Sequence, residues 1–258
     1  MFASFFLWVW VCITGGIVAL LSWIAFIPFN PWVDRKRRVL HYLSGLWGWG
    51  VLLYVRRFLP VDAYGLDKLK NGPYVICPNH FSVADTITFL GLFPSFAFVV
   101  RKDVFFMPMI GLQLWLSGYI PAKTSDGGQT VVDGCLRWLQ RGVNVLLFPE
   151  GTRSPDDRVH RFHKGPFLIA QKAGVPILPI AIYGTREILP KGRNSYQLQR
   201  PGQRVIVKVL DPFPVEDIKV AAQRARQAIQ EAIDESPRFP TPVIAVLHPR
   251  LANPATAD

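Results

Sequence analysis

The first 33 residues, Met1 to Val33, contain no charged side chain. A helix exposed to water needs a polar face, so this absence excludes an ordinary soluble segment and points to apolar surroundings. The run also lacks basic residues at its start and a small-x-small cleavage site ahead of a polar segment, which argues for a retained membrane segment over a cleaved signal peptide. Cysteine is scarce as well. Cys12, Cys77 and Cys135 are too few and too far apart for a disulfide framework and read as buried thiols in a reducing compartment. Acidic residues are outnumbered, 18 against 29 basic, which leaves a net charge of +11. No zinc-finger spacing and no aromatic-interleaved basic repeat accompanies that charge, so nucleic acid is not an expected partner. His160 and His163 have no acidic or cysteine partner at ligand spacing, and no metal is expected. Neither an internal repeat nor a low-complexity region is present.

What is there begins with the membrane. Phe2 to Ile27 gives a helix of about 39 Å, enough to cross a hydrocarbon core of about 30 Å with some tilt. Arg35, Lys36, Arg37, Arg38, Arg56 and Arg57 against Asp34 place +5 of the +11 in the first 57 residues. That distribution suits an anionic membrane surface. The second apolar segment, Val39 to Val55, is basic at both ends, so both ends belong on the cytoplasmic side and the segment lies along one leaflet or dips into it. The expected organisation is membrane-associated helices over 1–57, a catalytic domain over 58–236 and a proline-rich tail over 237–258.

From Phe58 onward apolar runs alternate with helical patterns. Tyr74–Cys77, Phe96–Val100, Val143–Phe148, Ile177–Tyr183 and Val205–Leu210 read as strands. Thr86–Phe93, Pro108–Leu116, Thr130–Leu139, Gly165–Ala173 and Val215–Glu235 read as helices. The alternation predicts an α/β fold, a mostly parallel or mixed sheet covered by helices, with an N-terminal membrane-associated helix pair and a site at strand C-terminal ends.

Two strands run into polar loops that carry chemistry. Behind Tyr74–Cys77 comes Pro78-Asn79-His80-Phe81-Ser82-Val83-Ala84-Asp85, which brings an imidazole and a carboxylate together at a strand end. A carboxylate that keeps one ring nitrogen protonated turns the other outward as a base near neutral pH, suited to taking a proton from an alcohol. The bland alternative is a capping Asn79 followed by an ordinary surface histidine. Behind Asn144–Phe148 comes Pro149-Glu150-Gly151-Thr152-Arg153-Ser154, whose flexible backbone, hydroxyl and guanidinium suit a phosphate ester.

With both stretches the chain resembles the 1-acylglycerol-3-phosphate acyltransferases, also called lysophosphatidate acyltransferases, of the wider glycerolipid acyltransferase family. Asn79, His80 and Asp85 match the Asn-His-x4-Asp block, and Phe148 to Ser154 matches Phe-Pro-Glu-Gly-Thr-Arg-Ser throughout. Val175–Ile180 is similar to the late apolar block and Phe162-His163-Lys164-Gly165 to the Phe-Lys-x-Gly turn. One block departs: Lys123-Thr124 stands where the family has an acidic or amide residue followed by arginine, and lysine offers a point charge in place of a bidentate fork.

The resemblance implies acyl transfer from acyl-CoA or acyl-carrier protein, as co-substrate and with no cofactor, to the free hydroxyl of 1-acylglycerol 3-phosphate, giving phosphatidate. His80 and Asp85 are the implied catalytic residues. Glu150, Gly151, Thr152, Arg153, Lys123, Arg101 and Lys164 are the candidate substrate-binding residues, with Glu150 open to three roles: holding Arg153, capping the loop or positioning His80. Membrane lipid is the implied partner and the cytoplasmic face of the inner or plasma membrane the implied location. The same chemistry on another lysolipid or on glycerol phosphate is the alternative, and a non-catalytic module for anionic membranes is a third reading. Phe105, Phe106, Trp115 and Trp138 read as core residues or as the lining of an acyl groove.

Overall fold

The computed structural model describes residues 2–28, 34, 37–56, 60–93, 95–107, 110–122, 128–156, 158–186 and 204–235. The strands are β1 Val61–Tyr64, β2 Val75–Pro78, β3 Ala97–Arg101, β4 Ile120–Ala122, β5 Val145–Leu146, β6 Ile177–Tyr183 and β7 Val205–Val209. The helices are α1 Phe2–Phe26, α2 Arg38–Arg56, α3 Val83–Leu92, α4 Ile110–Ser117, α5 Gln129–Gln140, α6 Gly165–Ala173 and α7 Ile218–Asp234. Among the described residues one seven-stranded sheet runs in the order β1-β7-β6-β2-β5-β3-β4. All neighbours are parallel except β6 and β7.

The central strands are apolar on both faces because both faces are covered. Along β2, Ile76 enters one apolar cluster while Val75 and Cys77 enter the other; along β6, Leu178, Ile180 and Ile182 oppose Ile177 and Ala181. The first cluster takes side chains from α1, α2 and α3, including Val51, Leu52 and Phe89. The second takes Cys135, Trp138, Phe167, Ala225 and Ile229 from α5, α6 and α7. The result is a three-layer α/β/α arrangement, as the alternation of elements predicts.

Two strands lie outside the sequence reading. β1 and β4 form the sheet's edges, and runs of four and three residues carry too little apolar pattern to stand out alone. β5 is shorter than its apolar run because Val143 is still held in the turn that ends α5, its N–H donating to Trp138, and Pro149 offers no donor beyond Phe148.

α1 buries a narrow stripe, Val11, Ala19 and Ser22, with Gly15 against the Trp47 indole of α2. Its outward stripe of Trp10, Ile13, Ile17, Leu20 and Ile24 is exposed and wholly apolar. By length and composition Val9–Phe26 can cross a membrane. Cys12 is exposed on this helix, so of the three thiols only Cys77 and Cys135 are buried. An apolar run that ends up facing outward does not bury its cysteine in protein.

α2 behaves differently. Leu40, His41, Ser44, Val51, Leu52 and Val55 are all buried in the protein. A Cβ on Gly48 would stand 2.6 Å from the Gly91 amide nitrogen of α3, so the two helices cross backbone to backbone. Arg37, just before α2, also turns inward: its Nη1 donates to the Trp115 and Leu116 carbonyls at the C-terminal end of α4. A cation there satisfies orphan carbonyls and complements the helix dipole. Burial, followed by the neighbouring Arg141, holds its pKa below the ordinary arginine value. This member of the basic cluster therefore serves the fold, not a membrane surface.

Candidate active site

β2 and β5 are adjacent and parallel, with Val75 opposite Val145 and Ile76 opposite Leu146. Their C-terminal ends deliver the two motif loops side by side, although the loops are 70 residues apart in the chain.

The first loop is built by a helix cap. Ser82 is the N-cap of α3, its hydroxyl accepting from the Ala84 N–H at 3.1 Å. Asp85, the third residue of α3, turns back so that Oδ2 accepts the N–H groups of Phe81 and Ser82, each at 2.8 Å. This reciprocal arrangement satisfies orphan donors and fixes where the helix starts. The same Oδ2 receives His80 Nδ1 at 2.9 Å. Because Oδ2 is the acceptor for all of these, Nδ1 is the donor of that bond, which leaves Nε2 for other partners. The Asp85 side chain is 0% exposed and that of His80 16%, so the carboxylate is sealed beneath an imidazole with one open edge. Phe148 stacks on the His80 ring with centroids 3.8 Å apart and is itself met edge-on by Phe98. Ring orientation is thus set by a hydrogen bond from one side and packing from another.

Asn79 is fully buried and caps nothing. It exchanges hydrogen bonds with the backbone of Ile182 on β6, Nδ2 donating at 2.7 Å and Oδ1 accepting at 2.8 Å. It extends the pairing of β2 and β6 past the last ladder residue, which pins the chain just before His80.

The second loop is organised by Glu150, which is buried at 5% exposure. Its Oε1 accepts the His80 N–H at 2.9 Å. Its Oε2 accepts the Ser154 hydroxyl and, at 3.2 Å, the His160 N–H. Ser154 N–H donates in turn to the His80 carbonyl at 2.8 Å. The backbone of His80 is therefore clamped on both sides by the Glu150–Ser154 turn. Gly151 adopts φ +68, and a Cβ there would press on the His163 ring at 3.2 Å. Only glycine fits this turn without strain.

The remaining candidates distribute around the same edge of the sheet. Thr152 is exposed and Arg153 half-buried. Arg101 ends β3, two strands from His80 in the sheet order, and forms a two-bond ion pair with Asp103 at 3.0 and 2.8 Å. Lys164 is exposed and sits at the N-cap of α6. Lys123 lies outside the described residues, as does the tail after Glu235. Phe105 and Trp138 are buried, whereas Phe106 and Trp115 are exposed. Sequence reasoning missed three contributors: Ser82 as the cap that aims Asp85, Asn79 as a strand tie, and His163 as the wall behind Gly151. The signal for Ser82 was present, since Ser-x-x-Asp is a capping-box pattern.

The layout places a histidine–carboxylate pair and a Gly-Thr-Arg turn at the carboxyl ends of adjacent parallel strands, where open α/β sheets hold their sites. Residues 60–183 match the family model described as Acyltransferase. The chain is 33% identical over 231 residues to a chloroplastic 1-acyl-sn-glycerol-3-phosphate acyltransferase of Brassica napus, covering 86% of this chain and 65% of that one. Its identity to a chloroplastic counterpart in Arabidopsis thaliana is 32%, covering 88% and 64%. A 1-acyl-sn-glycerol-3-phosphate acyltransferase of Pseudomonas aeruginosa is 32% identical over 160 residues, 60% of each chain. The chain thus spans just under two thirds of the length of its plant relatives. The fold is shared with the crystal structure of the 1-acyl-sn-glycerophosphate acyltransferase PlsC from Thermotoga maritima, at a TM-score of 0.75 and 22% identity over 92% of this chain and 98% of that one. Residues 60–183 thus match an acyltransferase family model, and the chain is similar over most of its length to 1-acyl-sn-glycerol-3-phosphate acyltransferases.

Proposed function

We propose that the protein transfers a fatty acyl group from acyl-CoA or acyl-carrier protein to the free hydroxyl of 1-acylglycerol 3-phosphate, giving phosphatidate. The observation that carries this reading is the imidazole of His80, its Nδ1 donating to the buried Asp85 and one edge open. Nε2 takes the hydroxyl proton as the acceptor oxygen attacks the thioester carbonyl, and Asp85 stabilises the resulting imidazolium. Collapse of the tetrahedral intermediate expels the thiolate, which receives that proton from His80. No acyl-enzyme is needed.

Arg153 with the Gly151–Thr152 backbone holds the acceptor phosphate, assisted by Lys123, Arg101 and Lys164, and so delivers the hydroxyl to Nε2. Glu150 acts by positioning: both of its oxygens already serve protein donors, and one of those is the His80 amide. The reaction takes place at a membrane. The apolar outward stripe of α1 supports this, as do exposed Phe106, Met107, Leu112 and Trp115 on the segment that packs beside it. An apolar surface of that extent is far larger than isolated exposed side chains require. The basic charge of the chain suits the cytoplasmic leaflet and an acidic, soluble donor.

Thioester consumption by the purified protein, dependent on lysophosphatidate, tests the reading, with a panel of other lysolipids and glycerol 3-phosphate to fix the acceptor. His80→Ala is expected to lower the rate by about 10²–10⁴-fold with folding intact. A folded His80→Ala protein with undiminished activity would remove the proposed base.

A further inference from the structure

The segment from Arg158 to Lys164 runs Arg-Val-His-Arg-Phe-His-Lys. Val159 and Phe162 are buried at 3% and 5% exposure, while the other five side chains are exposed. Phe162 stacks on Phe167 of α6 with centroids 6.4 Å apart. Backbone bonds tie the segment on both sides. The Val159 N–H donates to Gln230 at 2.9 Å and its carbonyl accepts from Arg226 at 3.4 Å, both on α7. The His160 N–H reaches Glu150, and the His163 N–H reaches the Pro149 carbonyl at 2.8 Å. A stretch with no helix or strand of its own is thereby held as a strap, tied to α7 at Val159 and to the motif loop at His160 and His163.

Its charge is one-sided. Arg158 and Arg161 bring fixed positive charges, and Arg226 adds another from α7, while Lys164 at the strap's other end is the one assigned to the acceptor phosphate. Among the described residues the acids that meet it are Glu150, which accepts the His160 N–H, Asp156, whose carboxylate is taken by His160 at 2.7 Å and by the Arg158 N–H at 3.1 Å and feels the Arg158 charge, and Asp217, which lies within electrostatic reach of Lys164. Among the described residues neither Arg158 nor Arg161 forms an ion pair with a carboxylate. Holding like charges in a fixed array costs free energy unless an anion neutralises them.

We propose that this strap docks the phosphate cluster of a coenzyme A thioester. The inference rests on the acyl-transfer reading above and assigns the donor its own subsite. Distance separates the two substrates. In the acceptor the phosphate is borne on the carbon next to the reacting hydroxyl, so it must lie close to His80, where Gly151–Arg153 is. In the donor a long pantetheine arm separates the thioester from the diphosphate and the 3′-phosphate. Arg158 stands two residues before His160, whose N–H is held by Glu150, so its backbone lies within about 7 Å of chain from the motif loop and its long side chain can carry the charge further out. Only a ligand whose anionic end is remote from its reacting atom can use both places.

The test is steady-state kinetics of the full chain carrying Arg158→Glu and Arg161→Glu, with lysophosphatidate as acceptor and three donors: acyl-CoA, acyl-pantetheine and acyl-carrier protein. The KM for acyl-CoA is expected to rise about tenfold at low ionic strength, with the difference shrinking at 1 M salt. The kinetics with acyl-pantetheine and the KM for lysophosphatidate are expected to stay at wild-type values. Equal losses with acyl-pantetheine, a shifted KM for lysophosphatidate, or no change with any donor would each overturn the proposal. A loss confined to acyl-carrier protein would assign the strap to a protein partner and likewise overturn it. Arg158→Ala with Arg161→Ala, expected to give a smaller rise in the same direction, guards against a folding effect of the charge reversals. Calorimetric binding of free coenzyme A to wild type and variant reads the strap without turnover: binding weakened in the variant sustains the docking site even if acyl transfer itself fails, and equal binding overturns it.

Discussion

Glu150→Ala is the perturbation that most directly separates positioning from substrate binding. The wild-type carboxylate serves the His80 N–H, the Ser154 hydroxyl and the His160 N–H while buried at 5% exposure. Truncation leaves three donors without their acceptor. Each buried donor left unsatisfied costs about 1–3 kcal/mol, and the Ser154 hydroxyl escapes by rotating, so the expected loss is about 2–6 kcal/mol out of a typical 5–15. Glu150→Gln keeps the volume. Its carbonyl oxygen can face the His80 N–H and its NH₂ can donate to Ser154, so the clearest loss is the bond to His160, about 1–3 kcal/mol. The kinetic effect follows from His80: once its amide is released, the imidazole is no longer held for in-line proton transfer, and kcat is expected to fall by about 10²-fold or more in Glu150→Ala. The KM for lysophosphatidate should move far less, because Arg153 is retained. Denaturant melts together with kcat and KM for both variants decide the matter. If Glu150→Ala were as stable as wild type and changed the acceptor KM with kcat intact, the carboxylate would be a substrate ligand and the clamp on His80 would be irrelevant.

Asp85→Asn should fold, because an amide oxygen can still accept from the Phe81 and Ser82 amides, yet lose about 10²–10⁴ in kcat by no longer fixing the His80 tautomer or stabilising its cation; NMR of the imidazole nitrogens would report the tautomer directly. Arg153→Ala should chiefly raise the KM for lysophosphatidate with little change for the thioester, and Arg153→Lys should recover only part of it, since a point charge replaces two directed donors. A dominant effect on the thioester KM would exchange the two substrates between the loop and the strap. Removing residues 2–28 should leave a folded protein that no longer pellets with vesicles at high salt. Removing 2–57 should unfold it, because Leu40, Val51, Leu52 and Val55 of α2 are core residues worth about 1.5–3 kcal/mol each. Retained pelleting after the shorter deletion would place the anchor on the exposed apolar side chains around α4.

Much of this molecule is written locally. Strict apolar runs ending at Pro78-Asn79 and Phe148-Pro149 mark strands whose C-terminal ends carry polar loops, and parallel sheets place sites at such ends whatever the exact strand order. His80 and Asp85 meet because five residues of chain and a helix cap bring them together, a contact of short sequence separation that residue types alone specify. The unbroken apolar character of Met1 to Val33 is likewise a statement about solvent and needs no tertiary partner to be read.

Other features depended on what the chain folds against. Val39–Val55 has the composition of a membrane-surface helix, but Gly48 and Gly91 allow α2 to approach α3 backbone to backbone, and close packing claims the segment for the protein core. Arg37 sits in a basic run and yet is spent on the carbonyls of α4, 78 and 79 residues away. Glu150 was open between three roles because a carboxylate's partners are decided by which donors the neighbouring strand presents, and that required the register of β2 against β5. The edge strands β1 and β4 and the strap at 158–164 are too short or too irregular to announce themselves. Pattern along a chain reports periodicity and burial, whereas the pairing of distant polar groups is set by three-dimensional proximity, and that only the folded sheet supplies.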